Sequence, residues 1–356
     1  MPMHQQSIHE LLRTDAPGTE DELPKGLEVY DLFCGAGGFS CGAALAGCRV
    51  AFACDSCPLA LETHKQNHPE ATHLCAQLPA PLPLPTDGRP FHLHGSPPCQ
   101  QFSTMKTFGG TQKKRVDAAN MVEWYLELAL RSGATSWSME QVSTNGVVQL
   151  VERVRQRNPG LISHHVFDLD LLGVPQTRKR LIAGTPWLVA RLVRMCSVRR
   201  RRPVNRVIHT SYATHLRNSK GWETQTLRHI RKPGQSKYVY SMDRILVPES
   251  DLVRSVTLPG PTVVCTSPLR WAWWERYDKV HLQTVLPPHL AALQTFPPTY
   301  VWPEKIELAR RQIGNALPPL VAELMLRGTR SDALALKYPM VLLHSPGGDD
   351  SDLAED

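Results

Sequence analysis

The chain has 356 residues, 42% hydrophobic and 21% charged, a balance that excludes a disordered or fibrous protein and allows one large core with a smaller companion. No apolar run is long enough to cross a bilayer and Met1-Pro2-Met3-His4 lacks the layout of a secretion signal, so an intracellular protein without a membrane partner is expected. Nine cysteines, an odd number, point to reduced thiols rather than a disulfide framework, and a net charge of +7 favours a polyanionic partner.

Residues 1–25 are polar with Pro and Gly and read as a flexible tail. The apolar run 27-LEVYDLF-33 reads as a strand carrying Asp31, and 34-CGAGGFSCGAALAG-47 as a tight glycine turn entering a helix. A second strand, 49-RVAFAC-54, ends at Asp55 and precedes a helix through Leu59, Ala60 and Thr63. After the Pro-rich connection 78-LPAPLPLPTDGRP-90, the strand 91-FHLHG-95 runs into a rigid corner at Pro97-Pro98-Cys99. Helical periodicity over 117–131 leads to a strand at 135–140 that delivers Glu140. A helix over 147–157 and strands at 162–169 and 180–185 complete the alternation. This order predicts an α/β fold, a mixed and mostly parallel sheet with helices on both faces. Such sheets bind ligands at the carboxyl ends of their strands, where Asp31, Asp55, Cys99 and Glu140 all fall.

Gly35, Gly37 and Gly38 let backbone approach a ligand, and the helix start behind them offers free amides. The run lacks both the GxGxxG spacing and a Walker lysine, and Asp55 suits ribose hydroxyls, so an adenosine-containing ligand is expected. The alternative is a turn that serves helix packing alone. Cys99 supplies a nucleophile for carbon, and Glu140 a carboxyl group able to carry or share a proton. Arg178 and Arg180, at alternate positions of 175-PQTRKRL-181, are expected to project to one side and aim donors at the carbonyl of a planar ring. Cys54 and Cys57 have metal-ligand spacing but lack a second pair, so no metal is expected.

Together these segments resemble the DNA cytosine C5 methyltransferases, over roughly Val29 to Leu326 and in that family's motif order. The stretch 31-DLFCGAGGFS-40 resembles the S-adenosylmethionine loop, 95-GSPPCQQFS-103 the nucleophile loop and 139-MEQV-142 the glutamate motif. The stretch 176-QTRKR-180 resembles the Q-x-R-x-R motif, and 293-LQTFPPTY-300 with 311-RQIGNALPP-319 the closing motif. The resemblance implies an S-adenosylmethionine-dependent (Rossmann-like) fold with a smaller target-recognition domain. It implies attack of Cys99 on C6 of a flipped-out cytosine, Glu140 on N3 and the exocyclic amine, Arg180 on O2, and Arg178 as support. S-adenosyl-L-methionine would meet Phe33, Gly35, Gly38, Asp55, Pro98 and Asn315, and Gln77 stands where the family often has an adenine-binding Asp. Double-stranded DNA is the expected partner of a monomer. Its contacts are expected at Gln101, Ser103, Gln176 and the block Arg199, Arg200, Arg201, Arg202.

The expected organisation is a catalytic part at 26–190, a small domain at 191–310 with target recognition at about 191–258, a closing helix at 311–330 and a tail at 331–356. The loop from about Gln101 to Arg115 is expected to close over the flipped base. The aromatic residues Tyr212, Trp222, Tyr238 and Tyr240 accompany the basic block, and 271-WAWWERY-277 is expected to pack between the domains. Three departures from the family pattern stand out: Gln77, Gln141 in place of an asparagine, and 288-PHLAALQ-294 without a preceding Arg-Glu pair. They motivate one alternative, a catalytically silent DNA-binding homologue. The other is the tRNA-methylating branch, whose Cys-Phe-Thr signature is absent here.

Overall fold

The structure is a computed structural model that describes residues 26–98, 112–209, 223–226, 244–247, 252–255, 259–260, 262–265, 270–276, 279–327 and 341–342. Strands β1 (Glu28–Leu32), β2 (Arg49–Asp55), β3 (Thr72–Cys75), β4 (Phe91–Gly95), β5 (Ser136–Gln141), β6 (Ser163–Asp168) and β7 (Lys179–Gly184) form one sheet. Its order is β3-β2-β1-β4-β5-β7-β6. All neighbours are parallel except β7, which runs antiparallel to both β5 and β6. Because β7 is reversed, its first residues, Lys179 and Arg180, lie at the same sheet edge as the last residues of β5, Glu140 and Gln141.

The central strands are buried on both faces, which is why they read as apolar runs. One face is covered by α1 (Gly38–Leu45), α5 (Pro186–Val198) and α8 (Pro319–Leu326), with Phe39, Leu188, Leu192 and Leu320 in a shared core. On the other face α3 (Gln112–Arg131) and α4 (Asn145–Arg157) set Tyr125, Leu126, Val147 and Val151 against Leu93 and Met139. The edge helix α2 (Pro58–Asn67) links β2 to β3.

Helix α1 is buried along most of its length, and its small residues let α8 approach closely. A Cβ on Gly42 would lie 2.2 Å from the Pro319 carbonyl oxygen and 2.9 Å from the Glu323 nitrogen. Alanine there would gain about 0.5–1 kcal/mol of helix propensity, but overpacking against fixed backbone costs about 1–3 kcal/mol. Overpacking wins. Gly42→Ala is therefore expected to lower the thermal midpoint by several degrees in a melting experiment, and an unchanged or raised midpoint would refute this packing.

Residues 223–284 contribute a second sheet, antiparallel throughout, with strands β9 (Glu223–Thr226), β10 (Arg244–Val247), β11 (Leu252–Ser255), β12 (Arg270–Arg276) and β13 (Lys279–Thr284) in the order β11-β10-β12-β13-β9. The segment 271–276 is strand β12. The helices α6 (Pro287–Leu293) and α7 (Ile306–Asn315) bring the chain back to α1, where Cys41 packs with Leu290 and Ile313.

Elements of the structure run across several of the expected divisions. Helix α5 continues to Val198, across the 190/191 division, because Leu192 and Val193 belong to the main core. Helix α3 begins at Gln112, so the last residues of the expected 101–115 loop are helical. In the expected tail, β14 (Val341–Leu342) pairs in parallel with β8 (Ile208–His209). Residues 1–25, most of the expected recognition segment, Tyr212, Trp222, Tyr238 and Tyr240 lie outside the described residues.

Candidate active site

The carboxyl ends of β1, β2, β4 and β5 surround a cavity of about 360 Å³, within the range typical of small-molecule and cofactor sites. Its floor is the glycine turn. Phe33 holds φ +58°, a left-handed conformation costly for a bulky residue and concentrated at functional sites. Gly35 follows with φ +54°, and Gly37 with φ +95°. The Tyr300 hydroxyl bonds the carbonyls of Ala36 and Gly37, which ties this turn to the 293–300 segment. At Gly38 a Cβ would lie 2.3 Å from the Leu317 carbonyl oxygen, so only glycine fits there.

Asp55 accepts the Gly35 amide on Oδ2 and the Cys57 amide on Oδ1, each at 2.8 Å. Each carboxylate oxygen retains acceptor capacity for a hydroxyl. Phe33, Gly35, Gly38, Asp55, Pro98 and Asn315 all line this cavity. Gln77 is exposed just beyond the edge strand β3 and is not among the residues that line the cavity. Cys34 also lines the cavity, but burial and the nearby Asp31 and Asp55 push its thiol well above the usual range, leaving it inert as a nucleophile.

On the opposite wall Arg180 Nε donates to Glu140 Oε1 at 2.6 Å, and its Nη1 to the Lys179 carbonyl at 2.7 Å. Both side chains line the cavity beside Pro97 and Pro98. Gln141 has an unexpected part. Its amide donates to the Pro97 carbonyl at 2.9 Å while its oxygen accepts the Val142 amide at 2.7 Å. The side chain, which also lines the cavity, therefore pins the proline corner. A buried polar ladder holds the same corner from below. Ser136 meets His92, His92 meets Ser138, Ser138 meets His94, and His94 meets Ser96 on the cavity wall, at 2.7–3.0 Å. Burial keeps His92 and His94 neutral, so each ring can offer one donor and one acceptor, and Phe39 stacks on His94 with centroids 3.6 Å apart.

Arg178 and Arg180 do not act on one side. Arg178 is 1% exposed and lies off the cavity; its Nη1 donates to the Val263 carbonyl at 2.8 Å and its Nη2 to those of Gly314 and Ala316 at 3.1 and 3.2 Å. Gln176 is buried as well, which corrects its expected DNA contact. Its amide donates to the Leu293 carbonyl and to Gln294 Oε1, and its oxygen accepts the Val263 amide. Gln294 in turn donates to the Ile313 and Ala316 carbonyls. Gln176, Arg178 and Gln294 thus clasp three distant segments behind the cavity. Gln294 and Tyr300 sit in the closing motif, but nothing in their local sequence announces those partners.

The arginines of the basic block, and Arg191 in α5 before it, divide by their surroundings. Arg191 is buried and donates to the carbonyls of Met325 and Arg327, and Arg199 donates to the Leu172 carbonyl at 3.2 Å. Arg201 pairs with Asp170 at 3.0 Å but remains 60% exposed, Arg200 is exposed, and Arg202 is half-buried. Cys99, Gln101 and Ser103 lie outside the described residues; the described chain stops at Pro98, on the cavity wall.

Residues 27–124 match the C-5 cytosine-specific DNA methylase family. The chain is 29% identical over 163 residues to the type II methyltransferase M.HgiDI of Herpetosiphon aurantiacus, a match covering 43% of this chain and half of that protein. It is 26% identical over 337 residues to the type II methyltransferase M1.HphI of Haemophilus parahaemolyticus, covering 83% and 85% of the two chains. A match to M.AgeI of Thalassovita gelatinovora, 31% identical, covers 44% of this chain and 38% of that protein. In fold the chain resembles the Dnmt2 methyltransferase of S. pombe, with a TM-score of 0.51 and 14% identity over 84% of this chain and 97% of the other. The methylase match implies S-adenosyl-L-methionine as cofactor. The cavity fits it: the glycine turn leaves room for backbone contact, and Asp55 retains acceptors for a ribose. Over residues 27–124 and the alignments to these type II methyltransferases the chain is similar to the C5-cytosine DNA methyltransferases in sequence.

Proposed function

We propose that the protein methylates C5 of a flipped-out cytosine in double-stranded DNA, within a short recognition sequence. The observation that carries this reading is the Arg180–Glu140 pair, 2.6 Å long, facing the glycine turn across one cavity beside the proline corner that leads to Cys99. S-adenosyl-L-methionine, when bound, supplies an electrophilic methyl group.

Cys99 adds its sulfur to C6 of the base, which raises electron density at C5. Arg180 directs guanidinium hydrogens at O2, and Glu140 contacts N3 and the exocyclic amine, so charge arising in the ring is neutralised in a site shielded from water. C5 takes the methyl group from the sulfonium sulfur, leaving S-adenosylhomocysteine; the C5 proton then passes to water, its bonding pair re-forms the C5–C6 double bond, and the Cys99 sulfur leaves C6 as a thiolate, releasing 5-methylcytosine. The Pro97-Pro98 corner, fixed by Gln141 and the Ser96 ladder, limits where the next residue can go. A cytosine in a duplex is stacked, so flipping is required. The exposed Arg200 and Arg201 are suited to phosphate contact, which would make binding fall steeply with salt.

The test is expression in a methylation-free host followed by sequencing of its DNA for 5-methylcytosine at base resolution. Methylation in one short recurrent motif, abolished by Cys99→Ala with S-adenosylhomocysteine binding retained, is the expected result. Purified protein assayed on duplex DNA and on total tRNA separates the substrates: methylation of RNA alone would reverse the assignment, and no transfer to either would favour a silent DNA-binding homologue.

A further inference from the structure

Asp31, at the carboxyl end of β1, is 1% exposed and borders the cavity, yet the reaction above gives it no part. It is joined to the protein surface by a continuous hydrogen-bonded chain. Ser40 Oγ lies 2.7 Å from Asp31 Oδ2, His64 Nε2 lies 2.9 Å from Ser40 Oγ, and His73 Nε2 lies 2.8 Å from His64 Nδ1. Ser40 and His64 are fully buried, whereas His73 sits half-exposed on the edge strand β3. We propose that Ser40, His64 and His73 form a proton relay that sets the charge of Asp31 and so makes cofactor binding proton-coupled, with both histidines as positioning residues. The proposal rests on reading this cavity as the S-adenosylmethionine pocket.

The chain has two self-consistent arrangements. With Asp31 ionised, Ser40 donates to the carboxylate, His64 Nε2–H donates to Ser40, and His73 Nε2–H donates to His64 Nδ1. With Asp31 protonated every donor reverses: the carboxyl O–H faces Ser40, Ser40 faces a bare His64 Nε2, and His64 Nδ1–H faces a bare His73 Nε2. Changing the charge of Asp31 therefore switches the tautomer of both rings, and one proton moves between His73 and the pocket. No bond other than O–H and N–H is made or broken.

The surroundings put this switch near neutrality. Burial raises Asp31 to about 7, opposed by its bonds from Ser40 and reinforced by Asp55. Cys34, Tyr125 and Tyr300, all buried with their own ionisation pushed well up, face it as neutral groups. Burial, His68 and His73 push His64 well down, so it passes a proton without holding charge. His73 is lowered by burial and by Lys65, against the Ala71 carbonyl and Glu70. Arg180, Arg311, Glu140 and Asp55 are the charged groups on the cavity wall. A ligand carrying positive charge, as both S-adenosylmethionine and S-adenosylhomocysteine do at the α-amino group, favours the ionised arrangement. Asp31 has a raised value, so its charge is present above about pH 7 and lost as pH falls through that value.

The test uses the full chain with histidine ring nitrogens labelled with ¹⁵N, and S-adenosylhomocysteine as the probe. Long-range ¹H–¹⁵N spectra should show His64 and His73 passing from the Nε2–H to the Nδ1–H tautomer as pH falls. Saturating S-adenosylhomocysteine should move that transition to lower pH. Calorimetry should find its affinity about 10-fold weaker at pH 6 than at pH 8, the change expected if only the ionised form binds. Ser40→Ala removes one oxygen from the middle of the chain and should leave the His73 tautomer blind to the ligand. It should also weaken binding at pH 7, because Asp31 loses a bond that lowers its value. Asp31→Asn should abolish both responses. Ligand binding with a pH-independent affinity and fixed tautomers would overturn the relay. A tautomer switch without ligand binding at any pH would overturn the coupling through failure of the cofactor reading itself.

Discussion

Replacing Arg178 with methionine is expected to lower the thermal midpoint by roughly 5–10 °C, on a loss of about 3–5 kcal/mol. Methionine fills much of the volume but donates nothing, so the carbonyls of Val263, Gly314 and Ala316 lose the hydrogens they accept now. A buried carbonyl left without a partner costs about 1–3 kcal/mol; the Ala316 carbonyl keeps its bond from Gln294, so the loss falls on those of Val263 and Gly314. The loss is also directional. Gly314 and Ala316 line the cofactor cavity, so their segment should drift and S-adenosylhomocysteine should bind more weakly as well. Arg178→Lys is expected to fall between, since an ammonium cannot reach two separate segments in a planar fork. Differential scanning calorimetry with binding isotherms checks the pair. A methionine variant with an unchanged midpoint and intact cofactor binding but no methyl transfer would place Arg178 at the base instead of in the clasp.

Residues that sit where strands end were legible because a parallel sheet imposes a simple rule. Strands buried on both faces appear as apolar runs, and the first polar residue at the end of a run lies at the ligand edge. Asp31, Asp55 and Glu140 obey it, and the run 91-FHLHG-95 matches β4 residue for residue. His92 and His94 break the apolar pattern within that strand, yet they are buried because Ser136 and Ser138 on the adjoining strand answer their nitrogens. What stayed hidden depends on partners far along the chain. Alternation in 176-QTRKR-180 puts Gln176, Arg178 and Arg180 on one side of an ideal strand, but β7 begins only at Lys179. Before it, the backbone bridges to Gly260, and the first two side chains turn toward donors and acceptors supplied by residues 263–316. Arg191 and Arg199 are hidden for the same reason: charge counting cannot tell a guanidinium that holds carbonyls from one that faces solvent. The relay from Asp31 to His73 uses four elements, β1, α1, α2 and β3, and its two histidines look unremarkable one at a time.

Glu140→Gln should be nearly silent in stability and severe in rate. The amide keeps the shape of the side chain, and its oxygen can still accept from Arg180 Nε, now at 2.6 Å, so the cavity wall should keep its form. In the proposed reaction, what disappears is the carboxyl group's ability to exchange a proton with the base and to balance the Arg180 charge while the ring becomes electron-rich. Losing one such preorganised electrostatic contact costs about 2.7–4 kcal/mol in other enzymes, which corresponds to a fall of about 10²–10³ in kcat. Cofactor affinity should change less than about threefold, since Asp55 and the glycine turn lie across the cavity from the substitution. On the proposed duplex substrate, affinity should hardly change, since phosphate contacts generally dominate DNA binding. Single-turnover methyl transfer, measured with saturating DNA and S-adenosylmethionine, separates the chemical step from binding. A rate within tenfold of the unaltered protein would remove Glu140 from the chemistry and leave its pairing with Arg180 as a structural contact. Loss of DNA or cofactor binding in step with the rate would mean that the wall had collapsed. Arg180→Lys is the matching probe: a compact ammonium keeps the charge but loses the planar fork, so it should recover only part of the rate.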